Sequence, residues 1–243
     1  MRAILTWHSV DSSGSPISVS PEEFSRQVHW LASGSVRVVG LEELQGLPEG
    51  VPAVALTFDD GFANFKTEAA PLLRHHGLVA TLFVVTEHVG RDNRWAGRSE
   101  TGIPVLPLLD WEALARLRES GVTLGAHSRT HPRLTGLDAV ALEHELGQAA
   151  EVMERRVGQR PTALAYPYGA VDSRIAETAA RWYRCACTTE LRVLGPEDDA
   201  LRLPRLDAWY LRDPHRLAAF GSRRFLAWVW GRRQARRLRS HSP

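Results

Sequence analysis

Short apolar runs recur along the chain and set its expected architecture. They are "AILTW" (3–7), "AVALTF" (53–58), "ATLFVV" (80–85), "VTLGAH" (122–127), "ALAYP" (163–167), "RCACTT" (184–189) and "LRLPRL" (201–206). Most are near-continuous rather than alternating, the pattern of strands covered on both faces. Helical patterns fill most of the intervals. "PEEFSRQVHWLAS" (21–33) follows Ser20 as an N-cap and carries Pro21 in its first turn. "WEALARLRES" (111–120) follows Asp110 and stops at Gly121. "LDAVALEHELGQAAEVMERRVG" (137–158) is long and amphipathic, and "DSRIAETAARWY" (172–183) is a further helix. Strands alternating with helices predict an α/β fold with a parallel sheet. Seven of them predict a closed or nearly closed β/α barrel, with an open doubly wound sheet as the alternative. The segment "RDNRWAGRSETGIPVLPLL" (91–109) has little periodicity and the length of a lid, a binding loop or a plain surface excursion.

Composition refines this picture. A chain of 243 residues with 44% hydrophobic content supports one sizeable core. The net charge of +2 demands no polyanionic partner, but it is unevenly spread. Residues 214–243 hold eight Arg and no acidic residue, so residues 1–213 carry −6. The expected organisation is therefore a mildly acidic main domain over 1–213 and a basic, helical C-terminal tail over 214–243. The tail pairs its Arg with the apolar patch "FLAWVW". Such a helix can lie on an anionic membrane surface or dock through its aromatic residues onto the barrel. Nucleic acid is not expected, because no recognised binding fold accompanies the charge. Cys185 and Cys187 lie on one strand pattern and read as sheet residues rather than as a disulfide or metal pair. No secretory signal and no membrane-length apolar stretch is visible, so the expected location is cytoplasmic, with membrane association through the tail.

The chemistry gathers at the strand ends. "ALTFDDGF" (55–62) runs from an apolar strand into Asp59-Asp60-Gly61. Asp-Gly alone reads as a turn. Two adjacent carboxylates at the end of a strand in a parallel sheet also read as a catalytic edge, because they repel unless a cation or proton stands between them. His127 and His131 in "GAHSRTHPRL" lie four apart, and on a short helical turn they can face one point. One Asp with two His makes a metal triad with open positions, and the second Asp is then free to act as a base.

"TFDDGF", "HSRTH" and "YPYG" resemble the successive motifs of the polysaccharide deacetylase family, which carries the NodB homology domain and forms carbohydrate esterase family 4. The resemblance runs from about residue 3 to residue 207. It implies a distorted (β/α)7 barrel and metal-dependent hydrolysis of N-acetyl groups on an amino sugar, oligosaccharide or polysaccharide. It assigns Asp59 as general base, Asp60, His127 and His131 as ligands of a divalent metal, usually zinc, and the backbone N–H of Tyr168 as an oxyanion donor. Two departures stand out. The family's third motif often opens with an Arg that pairs with the catalytic Asp, and Ala165 stands there instead; Arg205 is the expected replacement, paired with Asp59 or Asp207. The late L-x-H motif that supplies the general acid is missing, and His215 is a poor match for it. His8, in "TWHSV", is the better-placed histidine, for substrate binding, proton donation or a structural hydrogen bond. Trp7, Phe62, Trp95, Tyr166, Tyr168 and Trp209 are candidates to stack on sugar rings. Trp95, Tyr166 and Pro167 are the residues expected to face a carbohydrate substrate. The competing readings are a deacylase of a non-sugar amide and a catalytically silent carbohydrate-binding module. The intact set of Asp59, Asp60, His127 and His131 argues against the silent module, since clustered buried charges are costly without a use.

Overall fold

The computed structural model describes residues 1–48 and 50–240. Seven parallel strands close into a barrel: β1 (Arg2–Trp7), β2 (Ala53–Phe58), β3 (Thr81–Val84), β4 (Thr123–Ala126), β5 (Ala163–Ala165), β6 (Cys185–Leu191) and β7 (Leu203–Asp207). β1 pairs with β2 from Arg2 opposite Ala53 to Trp7 opposite Phe58. It closes the barrel against β7 through Leu5 opposite Leu206 and Thr6 opposite Asp207. The closed barrel, rather than the open sheet, is the architecture found.

The strands read as continuous apolar runs because each faces two cores. Leu5, Trp7, Val54, Leu56, Phe58, Leu82, Val84 and Leu164 point outward, into the main core beneath the helices. Ile4, Ala53, Ala55, Ala163, Ala165, Cys185, Cys187 and Leu203 form a second cluster around Phe83. The second set is small-residue rich, as expected inside a barrel of only seven strands. Phe83 fills the middle, and it does so because Gly125 has no side chain: a Cβ there would stand 2.5 Å from the ring.

The helices are α1 (Pro21–Ala32), α2 (Leu41–Gly46), α3 (Ala70–His75), α4 (Trp111–Glu119), α5 (Ala139–Val157), α6 (Ser173–Ala179), α7 (Pro214–Ala218) and α8 (Arg223–Ser240). α1 carries a full capping box between Ser20 and Glu23. Asp110, Asp138 and Asp172 cap α4, α5 and α6. Two helical stretches lie outside the predicted set. One is α2; the other is α3 with the π-helical turn Phe65–Ala69 before it. Pro71 interrupts the apolar pattern there, yet it sits in the first turn of α3, where a missing N–H costs little. Ser9–Val10 and Ser18–Val19 add a two-residue parallel pairing beside the barrel mouth.

The basic tail is helical over α7 and α8. Phe225 and Val229 are buried in the main core, and Trp228 packs against it. Arg216 lies over the Trp228 ring at 4.2 Å. Leu226, Trp230 and Leu238 remain exposed. Among the described residues, no helix is long and apolar enough to cross a membrane.

Candidate active site

The predicted strand-end residues converge at one mouth of the barrel. Asp59 and Asp60 follow β2, His127 follows β4, and Tyr166 follows β5. A pocket of about 120 Å³ is lined by His8, Asp59, Asp60, His127, His131, Tyr166 and Tyr168, with Ile17, Asn93, Trp95, Glu100, Ile103 and Thr189 completing the wall.

Backbone strain concentrates here. Among the described residues, the non-glycine residues with left-handed φ are Asp60 (70°), Ala96 (52°), Ser128 (63°), His131 (62°) and Tyr168 (58°). Four of these five belong to the three motifs, and Ala96 adjoins Trp95. Such conformations cost on the order of 1 kcal/mol each and persist only where the surroundings enforce them. The Asp60-Gly61 pair is thus both a turn and part of the site: Gly61, at φ 78°, donates its N–H to the Asp59 carbonyl (2.9 Å). The histidine segment departs from the expected helical turn. It is an irregular loop bent by left-handed Ser128 and His131, and the buried Ser128 Oγ accepts from the His131 N–H (3.0 Å).

Glu145 holds that loop from α5. Its carboxylate accepts from the backbone N–H groups of Arg129 (3.0 Å) and Thr130 (2.9 Å) and from the Thr130 hydroxyl (2.7 Å). The sequence reading missed this residue. Its signal was positional: Glu145 falls on the core-facing stripe of α5, between Leu142 and Leu146, where a carboxylate needs a buried partner.

Asp60, His127 and His131 are buried and place one ligand atom each within 4.8 Å of one another. Asp60 Oδ1 lies 3.4 Å from His127 Nε2 and 3.6 Å from His131 Nε2. It has no hydrogen-bond partner among the described residues although it is buried. Two donors about 2.0–2.1 Å from a tetrahedral ion stand roughly 3.3–3.4 Å apart, so the spacing fits a shared cation better than a direct hydrogen bond. His127 Nδ1 donates to the Ala165 carbonyl (2.7 Å), which turns Nε2 toward the other two donors. Burial, and after it the charge on His127, push the His131 imidazole down to about 3, so it stands neutral with a lone pair to offer. These three residues can hold a divalent metal.

Asp59 stands outside that group. Arg205, reaching from β7, donates from Nη1 and Nη2 to its two carboxylate oxygens at 2.7 Å each. Asp59 rather than Asp207 is its partner. Arg205 is itself fixed by the Thr188 carbonyl (2.9 Å) and Thr6 Oγ1 (3.0 Å). Burial alone would raise the Asp59 carboxyl, but the Arg205 and His127 charges overcome it and hold the group well below the usual carboxylate range. His8 Nε2 lies 3.7 Å from Asp59 Oδ2, and the ring is partly exposed in the pocket.

The aromatic candidates divide. Trp95 belongs to the long 91–109 segment, which supplies four residues of the pocket wall, and its ring stacks on His131 at 4.4 Å. Tyr168 is exposed and donates its hydroxyl to Glu100 of the same segment (3.0 Å). Trp7 and Phe62 are core residues, and Trp7 stacks on Phe58 and donates to Gln27. Trp209 lies outside the pocket wall, with Arg212 stacked on it at 3.9 Å. Of the other two expected substrate contacts, Tyr166 lies on the pocket wall and Pro167 does not. Tyr166 reaches the wall, but it is fully buried and its hydroxyl donates to the Leu201 carbonyl (2.9 Å), so it shapes the pocket without offering a polar handle. Pro167 is buried and does not line the pocket. His215 sits in the first turn of α7, away from the pocket wall.

Known proteins show the same plan. The chain is 24% identical over 193 residues to the Bacillus subtilis protein YxkH, covering 77% of this chain and 64% of that one. It is 25% identical over 205 residues to the poly-beta-1,6-N-acetyl-D-glucosamine N-deacetylase of Staphylococcus epidermidis, covering 78% of this chain and 67% of the relative. The chain therefore spans about two thirds of the length of these relatives. The barrel superposes on Streptococcus pyogenes deacetylase PplD, solved in complex with acetate, with a TM-score of 0.72 over 84% of this chain and 91% of that one, at 21% identity. Residues 47–183, more than half of the sequence, match the model of the polysaccharide deacetylase family. This chain belongs to the polysaccharide deacetylase family.

Proposed function

We propose that the protein is a metal-dependent deacetylase that hydrolyses the N-acetyl amide of an amino sugar within a larger saccharide. One observation carries this reading: an ionised Asp59, clamped by Arg205, stands beside a separate buried group of three metal-type donors. The relative from S. epidermidis, an N-deacetylase of an N-acetylglucosamine polymer, supports the choice of substrate.

A divalent metal held by Asp60, His127 and His131, zinc on this donor set, would polarise the acetyl carbonyl and lower the pKa of a bound water. Asp59 takes the proton of the attacking water. Its depressed pKa keeps it ionised at neutral pH, so that it stands ready as the acceptor. The bidentate Arg205 clamp fixes the plane of the carboxylate and so the direction from which it accepts. The backbone N–H of Tyr168, held in its left-handed turn, faces the negative charge that develops on the carbonyl oxygen. His8, beside Asp59, delivers a proton to the departing amine as the C–N bond breaks.

Acetate release from N-acetylglucosamine oligomers tests this directly. Release that a chelator abolishes, that zinc restores, and that Asp59→Asn loses is the expected result. A protein that binds about one zinc per chain but releases no acetate from any oligomer would overturn the sugar substrate. A protein that binds no metal would overturn the mechanism.

A further inference from the structure

The catalytic pocket, at about 120 Å³, is smaller than the clefts that usually enclose a small ligand. It takes the reacting group while the rest of the substrate lies outside. A second groove, of about 440 Å³, starts at the same wall: Thr189 lines both. Gly169, on the second groove, packs closely on Thr189: a Cβ there would stand 2.2 Å from Thr189 Oγ1.

This groove is chemically unlike the first. Arg202, Arg233 and Arg236 line it, against a single carboxylate, Glu190. Glu190 pairs with both Arg192 and Arg233. Arg202 donates from Nη2 to Ser173 Oγ (3.1 Å) and reaches the Asp199 carboxylate at 3.8 Å. Arg236 has no carboxylate within ion-pair distance among the described residues; it approaches the Thr189 carbonyl at 3.5 Å and lies 5.7 Å from the centre of the Tyr210 ring. The Nε atoms of Arg202 and Arg233 are buried and find no acceptor among the described residues. Buried guanidinium donors without acceptors are costly unless an anion completes them. Two of the three arginines come from α8, whose docking through Phe225 and Val229 thus places positive charge beside the barrel mouth.

We infer that this groove is an anion subsite of the active site, and that it holds a phosphate group borne by the sugar that is deacetylated. The three guanidinium forks carry more donors than Glu190 and the more distant Asp199 accept, and they match the oxygens of a phosphate or diphosphate. The inference rests on the deacetylase reading for its catalytic consequence, and on the groove alone for binding.

The test compares kcat/KM for N-acetylglucosamine 1-phosphate, N-acetylmuramic acid and N-acetylglucosamine in the wild type, Arg236→Gln, Arg202→Gln and Arg224→Gln. Arg224 is an exposed α8 arginine outside the groove and controls for general charge. The phosphorylated sugar should be preferred through a lower KM. That preference should fall about tenfold in Arg236→Gln and in Arg202→Gln, the loss expected for one charge-assisted contact, and persist in Arg224→Gln. An equal fall in Arg224→Gln, a stronger preference for the muramic carboxylate, or no preference in the wild type overturns the proposal. Binding of inorganic pyrophosphate by calorimetry is read on the same four proteins without catalysis. If none of these three monosaccharides is turned over, the oligomer assay alone decides the deacetylase reading. Pyrophosphate binding that Arg236→Gln weakens and Arg224→Gln keeps still supports the groove in that case, and absence of binding overturns it.

Discussion

Arg205 and Asp59 face each other across the floor of the barrel mouth through two parallel hydrogen bonds of 2.7 Å, both side chains almost wholly excluded from solvent. The pair joins the last strand to the second, and it supplies from β7 a guanidinium that the third motif, with Ala165, does not contain. Its role is to keep a buried carboxylate charged and aimed.

The first prediction follows from the cost of breaking that pair. Arg205→Gln leaves a buried carboxylate without its counter-charge and should destabilise the fold by about 3–5 kcal/mol. Asp59→Asn combined with Arg205→Gln should recover part of that loss, because no charge is then stranded. Arg205→Lys keeps a charge but cannot form the fork, so it should fold and lose at least about tenfold in kcat with little change in KM. Urea unfolding and acetate release measure the three variants. A double variant less stable than Arg205→Gln would show that the pair acts through packing rather than charge.

A second prediction concerns Glu145, which touches neither the pocket nor the three metal-type donors. It fixes two backbone N–H groups in the loop between His127 and His131. Without it, the loop loses the contacts that enforce its left-handed bends. Glu145→Ala should weaken zinc binding by about 10–100-fold, the range seen when groups that orient metal ligands are removed. Competition against a chelating dye reads the affinity, and circular dichroism checks the fold. A folded Glu145→Ala with unchanged zinc affinity would mean that the Ser128 contact alone shapes the loop.

The contrast between these two residues shows what the sequence makes legible. Seven strands stood out because closing a barrel between two cores removes polar positions from both faces, leaving unbroken runs such as "AVALTF". The carboxylates and histidines stood out because charged groups at strand ends have few structural uses. Arg205 could be singled out as a cation on an apolar strand. Glu145 was hidden, because a carboxylate on the core-facing stripe of a helix does not name its partner until the loop it holds is in view. The left-handed bends at Ser128 and His131 have no sequence mark, since neither is a glycine. The segment 65–75 was hidden by Pro71, which looks like a breaker and serves as a helix start.

Gly125 carries a third prediction. Its neighbour across the strands is the Phe83 ring that fills the barrel, and the Ala163 carbonyl lies 3.1 Å from where a Cβ would be. Gly125→Ala should cost about 1–3 kcal/mol through overpacking. Phe83→Leu in the same chain should relieve part of that cost, since the closer of the two contacts is with the ring. A stability assay in urea decides between them. If Phe83→Leu brings no recovery, the contact with the Ala163 backbone is the limiting one.

The two cysteines give the last prediction. Both face the barrel interior, paired in register with Ala163 and Ala165 of β5. Burial pushes the Cys185 thiol up to about 11 and the Cys187 thiol higher still, so neither offers a thiolate at neutral or mildly alkaline pH. They stand two apart on one strand, where side chains on the same face are roughly 6–7 Å apart, too far for a disulfide. The folded protein should therefore react with neither a thiol reagent nor an oxidant, and both thiols should label together when urea opens the barrel. Labelling kinetics then measure that opening, because a thiol reacts only in molecules whose strands have separated. If Cys187 labelled fast while circular dichroism stayed native, the interior would be reached without unfolding, and the barrel closure between β1 and β7 would have to open locally.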